Sequence, residues 1–493
     1  MKLSVLANNA AIALPTGAEA NVTGFAIDNR KVAPGTVFGA FDGARFNGED
    51  FIPAAIEAGA VAIVARPDAQ VKGAIHIKAE EPRQCFALLA AQFFKPVPET
   101  IVAVTGTNGK TSTAEMTRQI WRMGGHSAAS IGTLGVTTPD GSVSTGLTTP
   151  DIVTFLANMS GLAREGVTHV AYEASSHGLS QYRNEGLRVK AAGFTNLSRD
   201  HLDYHETMEA YFAAKMRLVD EVVDDDATIV VWADSSEWSV RAIEHAQTRN
   251  LRVFTVGEQG ERDRNGIRLL AHTPTLLGQE IEIEHDCRAY KINLPLIGAY
   301  QSANALVAAG LVLATGGDAA KVFDAVARLQ PVRGRLERAA ITQAGAPIYI
   351  DYAHTPDALD SAIAALRPHV AGKLITVFGA GGDRDTGKRP EMGRVAAQKS
   401  DIIIVTDDNP RGEDPAEIRR DILAGSKGAL EIADRREAIA VAIKQAGAKD
   451  IILIAGKGHE QGQIIGSGEN MRILPFDDVT VARECAAPQG TTI

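Results

Sequence analysis

The sequence predicts an α/β protein of three domains: a smaller α/β domain at the N-terminus, a central nucleotide-binding domain on a P-loop-type parallel sheet, and a Rossmann-like C-terminal domain. Three observations predict it. Apolar strand-like runs alternate with helical stretches over most of the 493 residues, a pattern that produces parallel sheets covered by helices. A glycine-rich loop, Gly106 to Thr111, falls between one such run and a helix. Length adds a prior of roughly three domains at about 150 residues each.

The elements follow in order. The opening "MKLSVLANNAAIALPTG" has one Lys, and Asn8 and Asn9 interrupt its apolar run. It reads as a first strand or helix, not a signal peptide. Residues 1–97 then hold strand-like "GTVFGAF" and "AVAIVAR" and helix-like "DFIPAAIEAG", and Pro96 and Pro98 in "KPVPET" mark a hinge. Residues 98–330 run through "IVAVTG", a helix, "THVAYEA", "AAGFTN" and a second helix, with "DCRAYKINLPLIG" as a small antiparallel insert. Residues 331–493 repeat the alternation in "PIYIDY", "KLITVFGAG", "DIIIVTDD" and "DIILIAGKG".

Composition excludes several classes. Hydrophobic residues are 45% and charged residues 22%, as in ordinary globular proteins. No apolar run approaches the roughly 18 residues of a membrane helix. Cys85, Cys287 and Cys485 are odd in number and far apart, which argues against a disulfide framework and a zinc knuckle and points to a reducing cytoplasm. A net charge of −10 argues against general nucleic-acid binding, so an anionic ligand must be held by local sites.

In "IVAVTGTNGKTSTAEMTRQIWRMGG", Met116, Ile120 and Met123 share one helical face, and Gly124 and Gly125 stop the helix. The loop before it, Gly106, Thr107, Asn108, Gly109, Lys110, Thr111 and then Ser112, can present backbone N–H groups and a helix N-terminus to an anion. Lys110 would reach the outer phosphates and Thr111 would ligate Mg2+. The loop is shorter than the common pattern, which would have Gly at Val104. A second cluster, "FGAGGDRDTGKRP", fails as a dinucleotide fingerprint, because its third glycine would fall at Arg384.

Glu173 ends the strand "THVAYEA", where a carboxylate can hold Mg2+ beside a phosphate loop. Asp200, His201, Asp203 and His205 crowd "RDHLDYH". They read as a magnesium-side cluster, with zinc or a capped polar loop as alternatives. In "ETMEAYFAAKMRLVDEVV", Met208, Tyr211, Phe212 and Val219 form an apolar helical stripe, and Lys215 falls within it. Its ammonium must snorkel outward, be paired, or be neutral or modified. The acidic turn "TDDNPRGEDP" poses a further puzzle: a surface turn explains its Asn, Pro, Gly and Asp, but not Arg411.

The ordered set "GTNGKT", "TTPD", "EASSHGLSQYR", "NLSRDHLDYH" with the following "AAK", "GRLER" and "DYAHTPDAL" resembles the Mur ligase family, whose members build the peptide of bacterial cell-wall precursors. The resemblance implies an N-terminal UDP-binding block that uses Asn29, where the family has Ser. It implies that Thr148, Thr149, Ser175, Gln181 and Arg183 hold a UDP-muramoyl dipeptide, that Asn304 faces adenine, and that Arg335 and Asp351 close over ATP. Lys215 would be carbamylated, an anion derived from carbon dioxide. Thr111, Glu173, His201 and that carbamate would hold two Mg2+ ions beside Lys110. ATP would convert a D-glutamate carboxylate to an acyl phosphate, an incoming amine would attack it, and domain closure would exclude water.

"DNPR", Asp408, Asn409, Pro410 and Arg411, resembles the signature of members that add meso-diaminopimelate. Arg411 would grip the far carboxylate bidentately, and Arg384, Gly456 and Glu460 would complete the pocket. A lysine-adding member, a folylpolyglutamate synthase-like ligase and a nucleotide-dependent switch are the rival readings. A monomer working on small molecules, without nucleic acid or membrane insertion, is expected.

Overall fold

The computed structural model describes residues 1–493 except 44–45, 139–140, 144–147, 235, 276–277, 384 and 488–493, and the side chains of 203 and 469 are also outside the description. The chain divides into two units.

The first unit contains two sheets. The smaller sheet takes its strands in sequence order, Gly24–Ala26, Thr36–Gly39, Ala60–Ala65 and Ile75–Lys78, all parallel. The helix Pro82–Phe93 follows it, and Phe86 meets Phe25 edge-on at 5.4 Å between ring centroids. The opening segment is a helix, Leu3–Asn9. "DFIPAAIEAG" is a tight turn, Gly48–Phe51, leading into the helix Ile52–Glu57.

The larger sheet is centred on the strand Thr100–Thr105, fully buried and flanked in parallel by His169–Glu173 and Val189–Phe194. Ala128–Gly132 lies beyond the first neighbour, and Val223–Trp232 and Arg252–Gly257 lie beyond the second. Strands buried on both faces read as continuous apolar runs, which is why "IVAVT" and "HVAY" were legible. The insert is present as the strands Gly278–His285 and Arg288–Leu294, which fall mostly in the second unit and are joined through Asp286 and Cys287. Both turn residues have positive φ, 49° and 56°, the backbone of a two-residue hairpin turn.

The second unit carries a six-stranded sheet. Its antiparallel edge strand, Arg335–Ile341, pairs with Pro347–Asp351. The parallel strands follow as Pro347–Asp351, Ile451–Ala455, Leu374–Phe378, Ile402–Val405 and Leu430–Glu431. Ile451–Ala455 is inserted between strands that precede it in the chain, so the ends of "DIILIAGKG" and "DIIIVTDD" emerge on the same side. Apolar clusters fill both faces.

A buried ion pair braces this sheet. Arg435 donates to both oxygens of Asp478 at 2.8 and 2.7 Å and to the carbonyl of Ala455 at 2.9 Å, with side chains 1% and 0% exposed. Asp478→Ala strands a buried guanidinium, and the expected loss is about 3–5 kcal/mol of unfolding free energy, measurable by denaturant titration. A loss below about 1 kcal/mol would show that water reaches Arg435.

Candidate functional site

The phosphate loop leaves the buried strand Thr100–Thr105 and enters the helix Lys110–Met123. Gly106 and Gly109 have φ of 145° and 85°, values that L side chains avoid. A Cβ on Gly106 would strike Thr195, and one on Gly109 would strike the Asn304 amide. Asn304, expected to face adenine, is thus packed against the loop itself. Two further residues shape the loop. The N–H of Thr107 donates to the Asn196 carbonyl at 2.9 Å, and that of Asn108 to Asn196 Oδ1 at 2.9 Å. Thr195 donates its hydroxyl to the Asn108 carbonyl at 2.6 Å. Sequence reasoning missed Thr195 and Asn196 because strand adjacency, not spacing, brings them here.

Two lysines converge on one carbonyl. Lys110 Nζ donates to Gly106 O at 3.0 Å and to Thr107 O at 2.7 Å, and Lys215 Nζ donates to Gly106 O at 2.7 Å. Lys215 does not snorkel. It is 1% exposed, lies on the buried stripe with Tyr211 and Phe212, and sits 4.4 Å from the Tyr211 ring centroid. Burial pushes its pKa well below the ordinary lysine value, the Lys110 cation pushes the same way, and Asp200 opposes. The Lys215 position therefore favours a neutral amine.

Glu173 ends its strand buried. Its carboxylate accepts from the Thr111 hydroxyl at 3.1 Å, from the Thr133 N–H at 2.6 Å and from the Thr133 hydroxyl at 3.2 Å. Thr133 is another residue the sequence did not flag. Among the described residues no group of three or more His, Cys, Asp or Glu side chains is arranged to hold a metal ion. One carboxylate beside one hydroxyl suits Mg2+, which keeps water and phosphate oxygens in its shell, whereas a zinc site gathers several nitrogen or sulfur donors. His201 lies 3.4 Å from Asp200, and its ring packs against Tyr211 and His177.

The residues expected to hold a muramoyl dipeptide form one network. Thr149 donates its hydroxyl to the Glu173 carbonyl at 3.0 Å, and its Oγ1 lies 3.0 Å from Ser175 Oγ. Arg183 donates to the Thr149 carbonyl at 3.0 Å and to Gln181 at 2.7 Å. Thr148 lies 3.1 Å from Thr133, hydroxyl to hydroxyl. Asn29 begins a short turn, Asn29–Lys31, capped by Asp28.

On the second unit, Asp351 accepts from the N–H groups of Leu336 and Ala353 at 2.8 and 2.9 Å. Burial lifts its pKa to about 6, against the pull of Arg335. Arg335 stacks 4.9 Å over the Tyr352 ring.

The acidic turn is resolved by where its charges go. Asp407 pairs with Arg419, Glu413 with Arg389, Asp408 with Lys457, and Asp414 caps the helix Pro415–Gly425. Arg411 instead donates to the carbonyls of Gly382 and Asn409, at 3.0 and 3.5 Å. These are neutral acceptors that a carboxylate surpasses. Asn409 donates to Glu460 at 2.8 Å. A Cβ on Gly456, whose φ is 115°, would lie 2.5 Å from Asp408 Oδ2. Pro410 links Asn409 to Arg411, and Arg384 lies outside the described residues.

Family profiles match the chain in three stretches: "Mur ligase family, catalytic domain" at residues 21–94, "Mur ligase middle domain" at 104–312 and "Mur ligase, glutamate ligase domain" at 334–458. The chain is 59% identical over 483 residues to a UDP-N-acetylmuramoyl-L-alanyl-D-glutamate–2,6-diaminopimelate ligase of Zymomonas mobilis, with 98% of each chain covered. It is 51% identical to the like-named ligase of Bradyrhizobium diazoefficiens, with 97% of each covered. A solved structure of a ligase of that name superimposes with a TM-score of 0.71 at 33% identity, over 94% of each chain.

Proposed function

The chain belongs to the Mur ligase family, and on that premise we propose that it joins meso-2,6-diaminopimelate to the D-glutamate γ-carboxylate of UDP-N-acetylmuramoyl-L-alanyl-D-glutamate. It is an ATP-dependent amide-forming ligase of peptidoglycan precursor synthesis. Residues 1–97 bind the UDP part, 98–330 bind ATP and the dipeptide, and 331–493 bind the amino acid. Among the described residues no helix is long and apolar enough to cross a membrane, and three free cysteines suit a reducing cytoplasm.

A carboxylate is a poor electrophile. Transfer of the ATP γ-phosphoryl group makes it an acyl phosphate and releases ADP. The diaminopimelate amine attacks the acyl carbon, phosphate leaves, and the amine loses its proton. Lys110 offsets charge on the transferring group. Thr111, Glu173, His201 and a carbamate on Lys215 would hold Mg2+, which supplies charge neutralisation at the phosphate oxygens. To form that carbamate, the neutral Lys215 amine adds to carbon dioxide and gives up a proton, leaving an anion with one N–H.

The observation that supports this reading most is a deeply buried lysine held 2.7 Å from the phosphate-loop carbonyl of Gly106. A nucleotide switch has no use for it. The test is ADP release with ATP and the UDP-muramoyl dipeptide plus one amino acid at a time. Release should require meso-diaminopimelate, and faster release with L-lysine would overturn the assignment.

Arg411→Ala should lower kcat/KM for diaminopimelate by about 30- to 1000-fold, roughly 2–4 kcal/mol, through loss of a charge-assisted contact. The KM values for ATP and the UDP substrate should hold. Unchanged diaminopimelate kinetics would remove Arg411 from the pocket.

A further inference from the structure

Lys457 follows the central strand Ile451–Ala455, and its side chain is 0% exposed. Sequence reasoning passed over it between Gly456 and Glu460. Its Nζ donates to Asn409 Oδ1 at 2.8 Å and lies 3.4 Å from Glu460 Oε2 and 3.5 Å from Asp408 Oδ1. Asn409 is thereby oriented. Its Oδ1 also takes the Ile464 N–H at 2.9 Å, and its Nδ2 donates to Glu460 Oε2. The Glu460 side chain is 30% exposed, so the carboxylate that Lys457 and Asn409 hold from inside is open to a ligand from outside.

Lys457 brings a buried positive charge between two carboxylates. Asp408 and Glu460 are negative, and Lys457 and Arg411 are positive. The neighbouring Asp407 and Glu413 are engaged by Arg419 and Arg389. The far end of diaminopimelate is a zwitterion, with one ammonium and one carboxylate. The far end of L-lysine carries only the ammonium. Removing the Lys457 charge makes the pocket one unit more negative, which favours the lone cation over the zwitterion.

We propose that Lys457 is a positioning and specificity-determining residue of the amino-acid pocket: it fixes Asn409 and Glu460 and supplies the charge that makes the pocket prefer a zwitterionic side-chain end over a cationic one. The inference rests on the diaminopimelate reading and names the device within it that sets charge selectivity. Lys457 acts through Asn409 and Glu460 and touches neither the acyl phosphate nor ATP.

The experiment is steady-state kinetics on the full chain with meso-diaminopimelate and with L-lysine, for wild type, Lys457→Gln and Lys457→Arg. Lys457→Gln keeps a hydrogen-bond donor and removes the charge. It should lose about 10- to 100-fold in kcat/KM with diaminopimelate, mostly in that KM, and the diaminopimelate-to-lysine ratio should fall about tenfold or more. KM for ATP should stay unchanged, and Lys457→Arg should keep the ratio. Equal losses with both amino acids in folded Lys457→Gln would overturn the proposal, since a purely structural lysine lowers both alike. If circular dichroism shows Lys457→Gln unfolded, Lys457→Arg decides. A ratio held within about threefold supports the charge role, and a collapsed ratio despite the retained charge overturns it. Wild type that ignores diaminopimelate would instead overturn the functional reading itself.

Discussion

Lys215→Ala is expected to leave a folded protein with almost no ligase activity. Lys215 lies on the buried stripe of the helix Met208–Arg217 and donates to the Gly106 carbonyl. Replacing an uncharged buried amine strands no ionic partner, and Ala is a good helix former. A fold defect is therefore not the expected cause of the lost rate. The loss comes from the anion that carbamylation puts beside the phosphates. Mass spectrometry of the intact wild-type chain should find an added carboxyl group at Lys215, absent from the variant. A short-chain carboxylic acid should partly fill the gap and restore some rate. Wild type degassed at low pH should lose activity and regain it with bicarbonate.

The stability of the same variant has a sign that can be checked. The folded chain holds Lys215 neutral at pH values where an unfolded lysine is protonated. Over that window the unfolded state binds the extra proton, so this group makes stability rise with pH. In carbon dioxide-free buffer Lys215→Ala should remove that slope. An active Lys215→Ala enzyme would end the carbamate reading.

Lys110→Ala is expected to lower kcat by about 100- to 1000-fold or more, because a preorganised cation at developing phosphate charge is worth that much in a dry site. Lys110 begins its helix and donates to two loop carbonyls, contacts that water can replace, so the unfolding midpoint should move little. A second readout does not depend on turnover. Lys110 is one of the groups that keep Lys215 neutral. Its removal should raise the Lys215 pKa and reduce the carbamate fraction found by mass spectrometry at a given pH. Ligation at the wild-type rate would remove the phosphate-loop assignment. An unchanged carbamate fraction would show that burial alone keeps Lys215 neutral.

The parallel strands were legible because burial on both faces writes them as short apolar runs. The phosphate loop was legible because its glycines and lysine are contiguous, and its chemistry needs no partner from elsewhere in the chain. Lys215 was visible as a charge within an apolar stripe. Periodicity could say only that its ammonium had to be accommodated. Its direction came from packing, which turned it inward onto Gly106 and placed Lys110 beside it.

Other features had no signature along the chain. Thr133 meets Glu173 because Ala128–Gly132 and His169–Glu173 are neighbouring strands. Asn196 shapes the loop because Val189–Phe194 lies beside Thr100–Thr105. Arg411 looked surrounded by carboxylates, yet each of those has another partner brought from 12 to 49 residues away or caps its own helix. Local order in the sequence thus determined the fold class, the strands and helices, the phosphate loop and the family. Only the tertiary structure decided which side chains face one another, because strand order and register are set by non-local pairing. That pairing put Lys457 under Asn409 and Glu460, left Arg411 on neutral carbonyls, and buried Lys215 where its proton is disfavoured.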